Sequence, residues 1–354
     1  MFVYNNKYVS KKEGHYYSCP WIEYGIVFFQ HKISTCCHCG HSGGGHSLIR
    51  NNYAGHKIDW NRIFEIKEMY RRFHKKGKIC TTCMDCPFLQ EGKWEREYNY
   101  IDRVYISNWS NCNARCIYCY STKHPEEFTY KQVYSVLPLI KDLYEKGILS
   151  TQADIAFGGG EPTLQAEFEE LIQFFTEKIF KRVRVHTSGI KYSAALAEAI
   201  NALLAYVVVS VDAGSPEVYE KIKQVPAYEK VRENIRKYSL QTTYIGRYLV
   251  SAKYIIIPGI NDTIEEVEKW LQANDEAGLY TTVLDIEENW HLENGDKIPA
   301  HIFDLIKYVE KRSKQLGTHF EMYERLQNMF NKEENRRKAN RSILSAAKIE
   351  KFYK

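Results

Sequence analysis

The sequence predicts an α/β protein, a partial (β/α)6 barrel of the TIM type with a small metal-binding appendage before it and a helical tail after it. Two observations carry this expectation. From Ile101 onward, six short β-rich runs alternate with amphipathic helical stretches, the order that a parallel sheet with right-handed crossovers produces. All ten cysteines lie between Cys19 and Cys119, a clustering that suits metal ligation better than an evenly stapled disulfide framework. A full barrel needs eight strand–helix units, so six leave it incomplete.

Residues 1–100 are rich in aromatics, Cys, His and Gly and offer one helical pattern, Trp60–Lys76; they are expected to form the appendage. The six strands follow as IDRVYIS (101–107), ADIAF (153–157), RVRVHTS (182–188), AYVVVSVD (205–212), LVSAKYIII (249–257) and YTTVLDI (280–286), which sets the barrel at 101–290. Each run ends in polar or glycine-rich residues, and the carboxyl ends of strands are where parallel α/β folds place their chemistry. Residues 291–354 read as a helical extension. From Arg325 to Lys354 it has nine Lys/Arg against three Glu, so a net charge of +5 leaves the rest of the chain nearly neutral. Ile343, Leu344 and Ala347 supply an apolar stripe for a solvated final helix. A pI of 8.5 falls short of the value of about 9 typical of dedicated nucleic-acid binders. No apolar run reaches the roughly 18 residues of a membrane span, and the N-terminus lacks a signal-peptide core, so a cytoplasmic protein is expected.

The chemistry concentrates in two motifs. NCNARCIYCY (111–120) places Cys112, Cys116 and Cys119 within eight positions. Three thiolates can hold three corners of an iron–sulfur cubane and leave one iron open, and an open coordination position marks a catalytic site. A zinc site completed by His124 is the alternative. FGGGEPT (157–163) ends the second strand. Its three glycines permit positive φ and close backbone approach, Glu161 adds an acceptor for an ammonium, and Pro162 fixes the turn.

Together, CNARCIYC and GGGEPT resemble the radical S-adenosylmethionine (SAM) enzymes, and the resemblance spans roughly residues 100–290. It implies that the open iron is chelated by the amino and carboxylate groups of S-adenosylmethionine. In that family the reduced cluster passes one electron to the sulfonium, and a 5′-deoxyadenosyl radical abstracts hydrogen from an unactivated C–H bond. Carried over by position, Cys112, Cys116 and Cys119 hold the [4Fe–4S] cluster and Tyr118 lies against the adenine. Gly158, Gly159, Gly160 and Glu161 receive the methionyl amino group. Ser188, Ser210 and Asp212 contact ribose and carboxylate, and Ile257 and Ile260 line the adenine side. Capping and core roles are the plain alternatives for these last five.

Seven cysteines remain. CCHCG offers Cys37 and Cys39, or the pair Cys36-x2-Cys39, and CTTCMDC offers Cys80, Cys83 and Cys86 at x2 intervals; Cys37, Cys39, Cys83 and Cys86 are the expected ligands of a second metal, either a second [4Fe–4S] cluster or zinc. The resemblance favours the cluster, although relatives usually place such cysteines after the barrel. Cys36 and Cys37 are adjacent and do not both reach one metal, so among Cys19, Cys36 and Cys80 a free thiol is expected; Cys19 is the candidate hydrogen-atom donor to a substrate radical. CGHSGGGHSL, with His41 and His46, offers an anion cradle or a plain hairpin end. Asp285, Glu287, Glu288 and His291 leave the sixth strand together and suit a hydroxyl- or amine-bearing substrate, with Glu287 and Glu288 as candidate catalytic carboxylates. His186 and Lys253 point into the barrel or serve as core groups. The expected outcome is epimerisation or dehydrogenation of a sugar-type small molecule, with flavodoxin or ferredoxin as electron donor. Modification of a peptide or RNA is the alternative within the family, and a zinc-stabilised binding module without chemistry is the alternative outside it.

Overall fold

The structure, a computed structural model, describes residues 2–35, 47–50, 58–84, 86, 88–94, 100–128, 134–240, 246–295 and 297–352. Two compact units divide the chain. The first holds residues 1–112, 125–186 and 193–206; the second holds 113–124, 187–192 and 207–354. Among the described residues, no helix is long and apolar enough to cross a membrane.

In the first unit, four strands run parallel in the order Gly25–Phe29, Ile101–Ser107, Leu149–Phe157, Val183–Thr187. Lys32–Ser34 and Ser47–Arg50 extend the sheet antiparallel beyond Gly25–Phe29. Unbroken apolar runs suit strands covered on both faces, and all five residues of Gly25–Phe29 are buried. The register aligns Val27 with Tyr105 and Ile106 with Phe157. The helices Leu137–Glu145, Phe168–Lys178 and Ala194–Asn201 each bury an apolar stripe. Phe157 packs edge-on against Phe168 and Phe175, with centroids 5.3 and 6.0 Å away.

The second unit continues with parallel strands Ala205–Ser210 (from Val207 onward), Val250–Ile256, Thr281–Ile286 and His319–Met322. Helix Ile264–Glu276 follows the Val250–Ile256 strand and Ala300–Leu316 precedes the last one. Ala300–Leu316 buries Ile302, Leu305, Ile306 and Val309, a helical-period stripe, and Gly317 closes it in the left-handed conformation.

Strand–helix alternation of parallel strands is the fold class the sequence predicts, consistent with a partial TIM-type barrel. All six expected strands form, the first with its expected limits and the others within four residues of theirs. The largest difference is Leu149–Phe157, which starts four residues early. Its polar leading residues conceal it as a strand, and a register shift opposite Ile101–Arg103 accommodates them. Two further parallel strands were not expected. Gly25–Phe29 lies within the region read as an appendage, yet it pairs with the first barrel strand. His319–Met322 lies within the region read as helical; its four residues are all at least partly exposed and show no apolar run. The final helix, Glu324–Phe352, packs its first turns through Leu326, Met329 and Phe330. Ile343, Leu344 and Ala347 lie beyond the described side chains.

Phe157→Ala removes the ring that Phe168 and Phe175 enclose. It should cost about 3–5 kcal/mol, read as a lowered denaturation midpoint of the purified chain; a loss under about 1 kcal/mol would show that the three-ring contact does not form.

Candidate active site

In the first unit, the loop after Leu149–Phe157 lies directly on the segment that leads into the cysteine motif. A Cβ at Gly158 would sit 1.9 Å from the Tyr105 hydroxyl, and one at Gly160 would sit 2.4 Å from the Asn111 carbonyl. Gly159 has φ +87° and faces the Trp109 carbonyl, where a Cβ would lie at 2.7 Å. Gly159 and Gly160 therefore require glycine, whereas a side chain at Gly158 would have to displace the Tyr105 ring. Gly158 N donates to Ile106 O at 3.0 Å, Gly160 N to Trp109 O at 2.6 Å and Glu161 N to Asn111 O at 2.8 Å.

These amides serve the fold, which corrects the expectation that they face a ligand. An ammonium is a donor in any case and would need the carbonyl oxygens of this loop. Glu161 is buried, and its Oε1 accepts from Thr163 N and Thr163 Oγ1 at 3.1 and 2.7 Å, capping the turn Pro162–Leu164.

A buried polar network behind the loop escaped the sequence reading. Gln165 donates to Asn108 and Glu167, Glu167 accepts from the amides of Val136 and Leu137, and Asn108 donates to Tyr134 O. Asn108 and Ser110 are buried, so the loop after the first strand is held from below rather than solvated.

In the second unit, the segment from Asn113 to His124 carries Cys116, Tyr118 and Cys119. Arg115 N and Ile117 N donate to the carbonyls of Lys223 and Ile222 at 2.9 and 3.0 Å. This pins the motif to the end of helix Pro216–Lys223. Cys119 opens helix Tyr120–Lys123, and its Sγ lies 3.1 Å from Ser121 Oγ. Cys112 closes a segment of the first unit.

Beneath the motif lies a buried ion pair. Lys223 Nζ contacts Asp212 Oδ2 and donates to the Tyr118 hydroxyl at 2.9 Å, while Tyr118 donates to Asp212 Oδ2 at 2.6 Å. Asp212 Oδ1 accepts from Ile255 N at 2.8 Å. Asp212 stands at φ +60°, a conformation that Asp tolerates better than most residues. Burial opposes ionisation of Asp212, but Lys223 and then Lys253 hold its carboxyl below the usual range. Burial likewise opposes the charge on Lys223, and Asp212 outweighs it, raising the ammonium above its ordinary value. Burial pushes the Cys116 thiol up, and Lys223 pulls it back toward the thiolate.

Asp212 is fully buried with both carboxylate oxygens engaged, so it positions Tyr118 and does not contact a ligand as expected. Asn261, which the sequence reading passed over, staples the same place. Its amide donates to Asp212 O and Ile255 O, and its Oδ1 accepts from Ile257 N. The Asn two residues after Gly259 in PGIND was the available signal.

Ile257 and Ile260 pack with Ile222, Ile255, Ile117 and Tyr118 in one apolar cluster. Ser188 donates to Asn113 Oδ1 at 3.0 Å. Ser210 ends its strand, half-buried, in register with Lys253. Burial lowers the pKa of Lys253, whose Nζ lies 5.9 Å from the Tyr323 ring centroid. Glu287 caps helix Glu288–Asn294 through Trp290 N at 2.6 Å and lies 3.7 Å from Lys123 Nζ. Its carboxylate therefore has structural partners, which a free catalytic carboxylate would lack. The Glu288 side chain is outside the described residues, as are Cys36, Cys37, Cys39, His41 and His46.

Cys19 differs most from its expected role. It is buried, its Sγ accepts from Ile22 N at 3.4 Å, and desolvation pushes its thiol up to about 11. A substrate cannot reach a thiol enclosed in this way, so Cys19 is not the hydrogen-atom donor.

Residues 106–272, just under half of the chain, match the Radical SAM superfamily. It is similar to a probable GTP 3′,8-cyclase of Methanocaldococcus jannaschii, 26% identical over 222 residues, covering 60% of this chain and 72% of that protein. It is also similar to the 7,8-dihydro-6-hydroxymethylpterin dimethyltransferase of the same organism, 27% identical over 271 residues, covering 70% and 50%. The GTP 3′,8-cyclase of Peptoclostridium acidaminophilum is 26% identical over 180 residues, covering 50% and 51%. The chain thus spans about half the length of several curated relatives it matches. Among solved structures it is similar to Streptococcus suis SuiB bound to the precursor peptide SuiA, at 11% identity and TM-score 0.49, covering 77% of this chain and 57% of that one. The superfamily's cofactors are a [4Fe–4S] cluster and S-adenosylmethionine. Three closely spaced cysteines and a loop with no room for a Cβ at Gly159 or Gly160 fit that pair.

Lys223→Met should leave Asp212 buried without its cation and cost about 3–5 kcal/mol. In the native chain the folded carboxyl titrates below 3.8, so its contribution is complete above that value and lost as pH falls through the folded value. Lys223, raised above 10.5, contributes fully below that value and loses its contribution only as pH rises through the higher folded one. The pair is therefore constant across neutral pH. In Lys223→Met the carboxyl shifts upward, so the loss measured by denaturant titration should be smaller at about pH 5 than at about pH 8; an equal loss at both would mean that Asp212 does not depend on Lys223.

Proposed function

We propose that the chain is a radical SAM enzyme that removes a hydrogen atom from a C–H bond of a polar small molecule. The observation that carries this reading is the pairing of the Cys112–Cys116–Cys119 motif with a three-glycine loop that leaves no room for a Cβ at Gly159 or Gly160. Cys112, Cys116 and Cys119 would hold the cluster. Loop carbonyls at Gly158–Glu161 would receive the methionyl ammonium, Ile257, Ile260 and Tyr118 would seat the adenine, and Ser188 and Ser210 would serve the ribose and carboxylate. When bound, the cluster and S-adenosylmethionine supply one-electron cleavage of the sulfonium and hydrogen abstraction from carbon. The chain's own part is positioning: Asp212 and Lys223 fix the Tyr118 hydroxyl, and Lys223 offers Cys116 a cation.

For the substrate, the reading is a sugar-type molecule and dehydrogenation, in which the substrate radical would lose a proton to solvent and a further electron to a second [4Fe–4S] cluster. Epimerisation would need a hydrogen-atom donor, and Cys19 is enclosed. Flavodoxin or ferredoxin would supply the reducing electron. The similarity to GTP 3′,8-cyclases supports a second reading, a purine nucleotide substrate.

Anaerobic incubation with S-adenosylmethionine and dithionite should release 5′-deoxyadenosine and methionine, and Cys116→Ser should lower that release by more than about 100-fold, the loss of a cluster ligand. Release at the native rate by Cys116→Ser would exclude the reading. Deuterated nucleotide sugars should transfer label into 5′-deoxyadenosine. Transfer from deuterated GTP in their place would favour the purine substrate.

A further inference from the structure

Four cysteines outside the domain motif converge within the first unit. Cys19, Cys80 and Cys83 lie in one apolar cluster with Tyr8, Ile22, Tyr70 and Ile79, and each arrives on a different element. Cys19 caps helix Pro20–Tyr24, Cys80 ends strand Lys78–Cys80 opposite Phe2, and Cys83 ends the turn Thr81–Cys83. Cys86 follows one turn later, its N donating to Cys83 O at 3.1 Å. None of the four is in a disulfide.

We propose that Cys19, Cys80, Cys83 and Cys86 are the four ligands of one [4Fe–4S] cluster. Cys-x2-Cys-x2-Cys completed by a cysteine from elsewhere in the chain that precedes a proline is a ligand pattern of ferredoxin-type cubanes. Here the run is Cys80, Cys83 and Cys86, and the remote pair is Cys19 and Pro20. Zinc would need sulfurs about 3.8 Å apart, the edge of a tetrahedron with 2.3 Å bonds. Among the described residues, His124, Glu126 and Glu127 form the one His, Cys, Asp or Glu trio whose donor atoms fall within 4.8 Å. The four sulfurs are thus spread beyond a zinc tetrahedron.

A buried amine braces this turn. Lys67 is fully buried, and its Nζ donates to the carbonyls of Trp21, Ile22 and Gly25 in the turn that Cys19 caps, at 3.3, 2.8 and 2.8 Å. The Ile22 amide points at the Cys19 sulfur, and hydrogen bonds to cluster sulfurs are a recognised means of tuning such sites. Four protein ligands leave no iron open, so this cluster cannot bind a substrate directly. The assignment replaces Cys37 and Cys39 as ligands and does not depend on the reaction proposed above.

The test is metal content of chain purified without oxygen. Native protein should carry about eight irons and eight sulfides. Cys19→Ser, Cys80→Ser, Cys83→Ser and Cys86→Ser should each carry about four, whereas Cys37→Ser and Cys39→Ser should keep about eight. A chain with Cys112, Cys116 and Cys119 all changed to Ala leaves the proposed site untouched and should retain about four irons and four sulfides. This guards against variants that fail to fold. Retention of eight irons by any of the first four, loss of four in Cys37→Ser or Cys39→Ser, zinc without sulfide in the triple variant, or no iron in it would each overturn the assignment.

Discussion

The second unit is organised around one buried ion pair. Lys223 and Asp212 come from the end of a helix and from just beyond the end of a strand, and neither has water to solvate it. Removing such a pair from solvent is costly unless every remaining hydrogen-bonding position is filled. Here Tyr118 and the Ile255 amide fill them. As a result the cysteine motif, the strand end and the segment around Ile257 are held to a common reference. A less satisfied pair would leave Tyr118 and Cys116 without a fixed position, and the chemistry of the motif depends on position.

The first unit reaches the same end by steric exclusion. Gly158, Gly159 and Gly160 let two backbone segments approach so closely that hydrogen bonds form directly between them. The buried side chains of Asn108, Gln165 and Glu167 then satisfy the polar groups that such an irregular segment would otherwise strand. Charge pairing in one unit and close backbone contact in the other serve the same purpose, a rigid support for residues on loops.

The N-terminal region is more than a lid bearing metal ligands. Its strand Gly25–Phe29 extends the parallel sheet, and Cys19, Cys80 and Cys83 gather in a core of their own beside strand Lys78–Cys80 and helix Pro20–Tyr24. A cluster ligated there by four thiolates would tie that core together, because metal binding and folding share one free energy. Lys67, enclosed beside the same turn, donates to its carbonyls, and burial lowers the pKa of this amine to about 7.

Much of the fold was legible in the chain because strand periodicity and apolar runs are local properties. All six barrel strands, helix Trp60–Lys75 and the two glycine and cysteine motifs could be read from adjacent residues. His319–Met322 and Gly25–Phe29 could not, since a short strand is defined by the partner it meets and its own four or five residues carry little signal. The same limit applies to side chains. Spacing alone singled out Cys112, Cys116 and Cys119, but the duty of Asp212 is set by Lys223, eleven residues along the chain, and by Tyr118, ninety-four residues away. Pro20 after Cys19 is a local hint of ligation, but only burial places Cys19 among Cys80 and Cys83, some sixty residues along the chain. Local chemistry thus determined which motifs exist. Only the tertiary structure decided which polar groups are enclosed and with whom, because burial and pairing belong to the folded chain and not to any stretch of it.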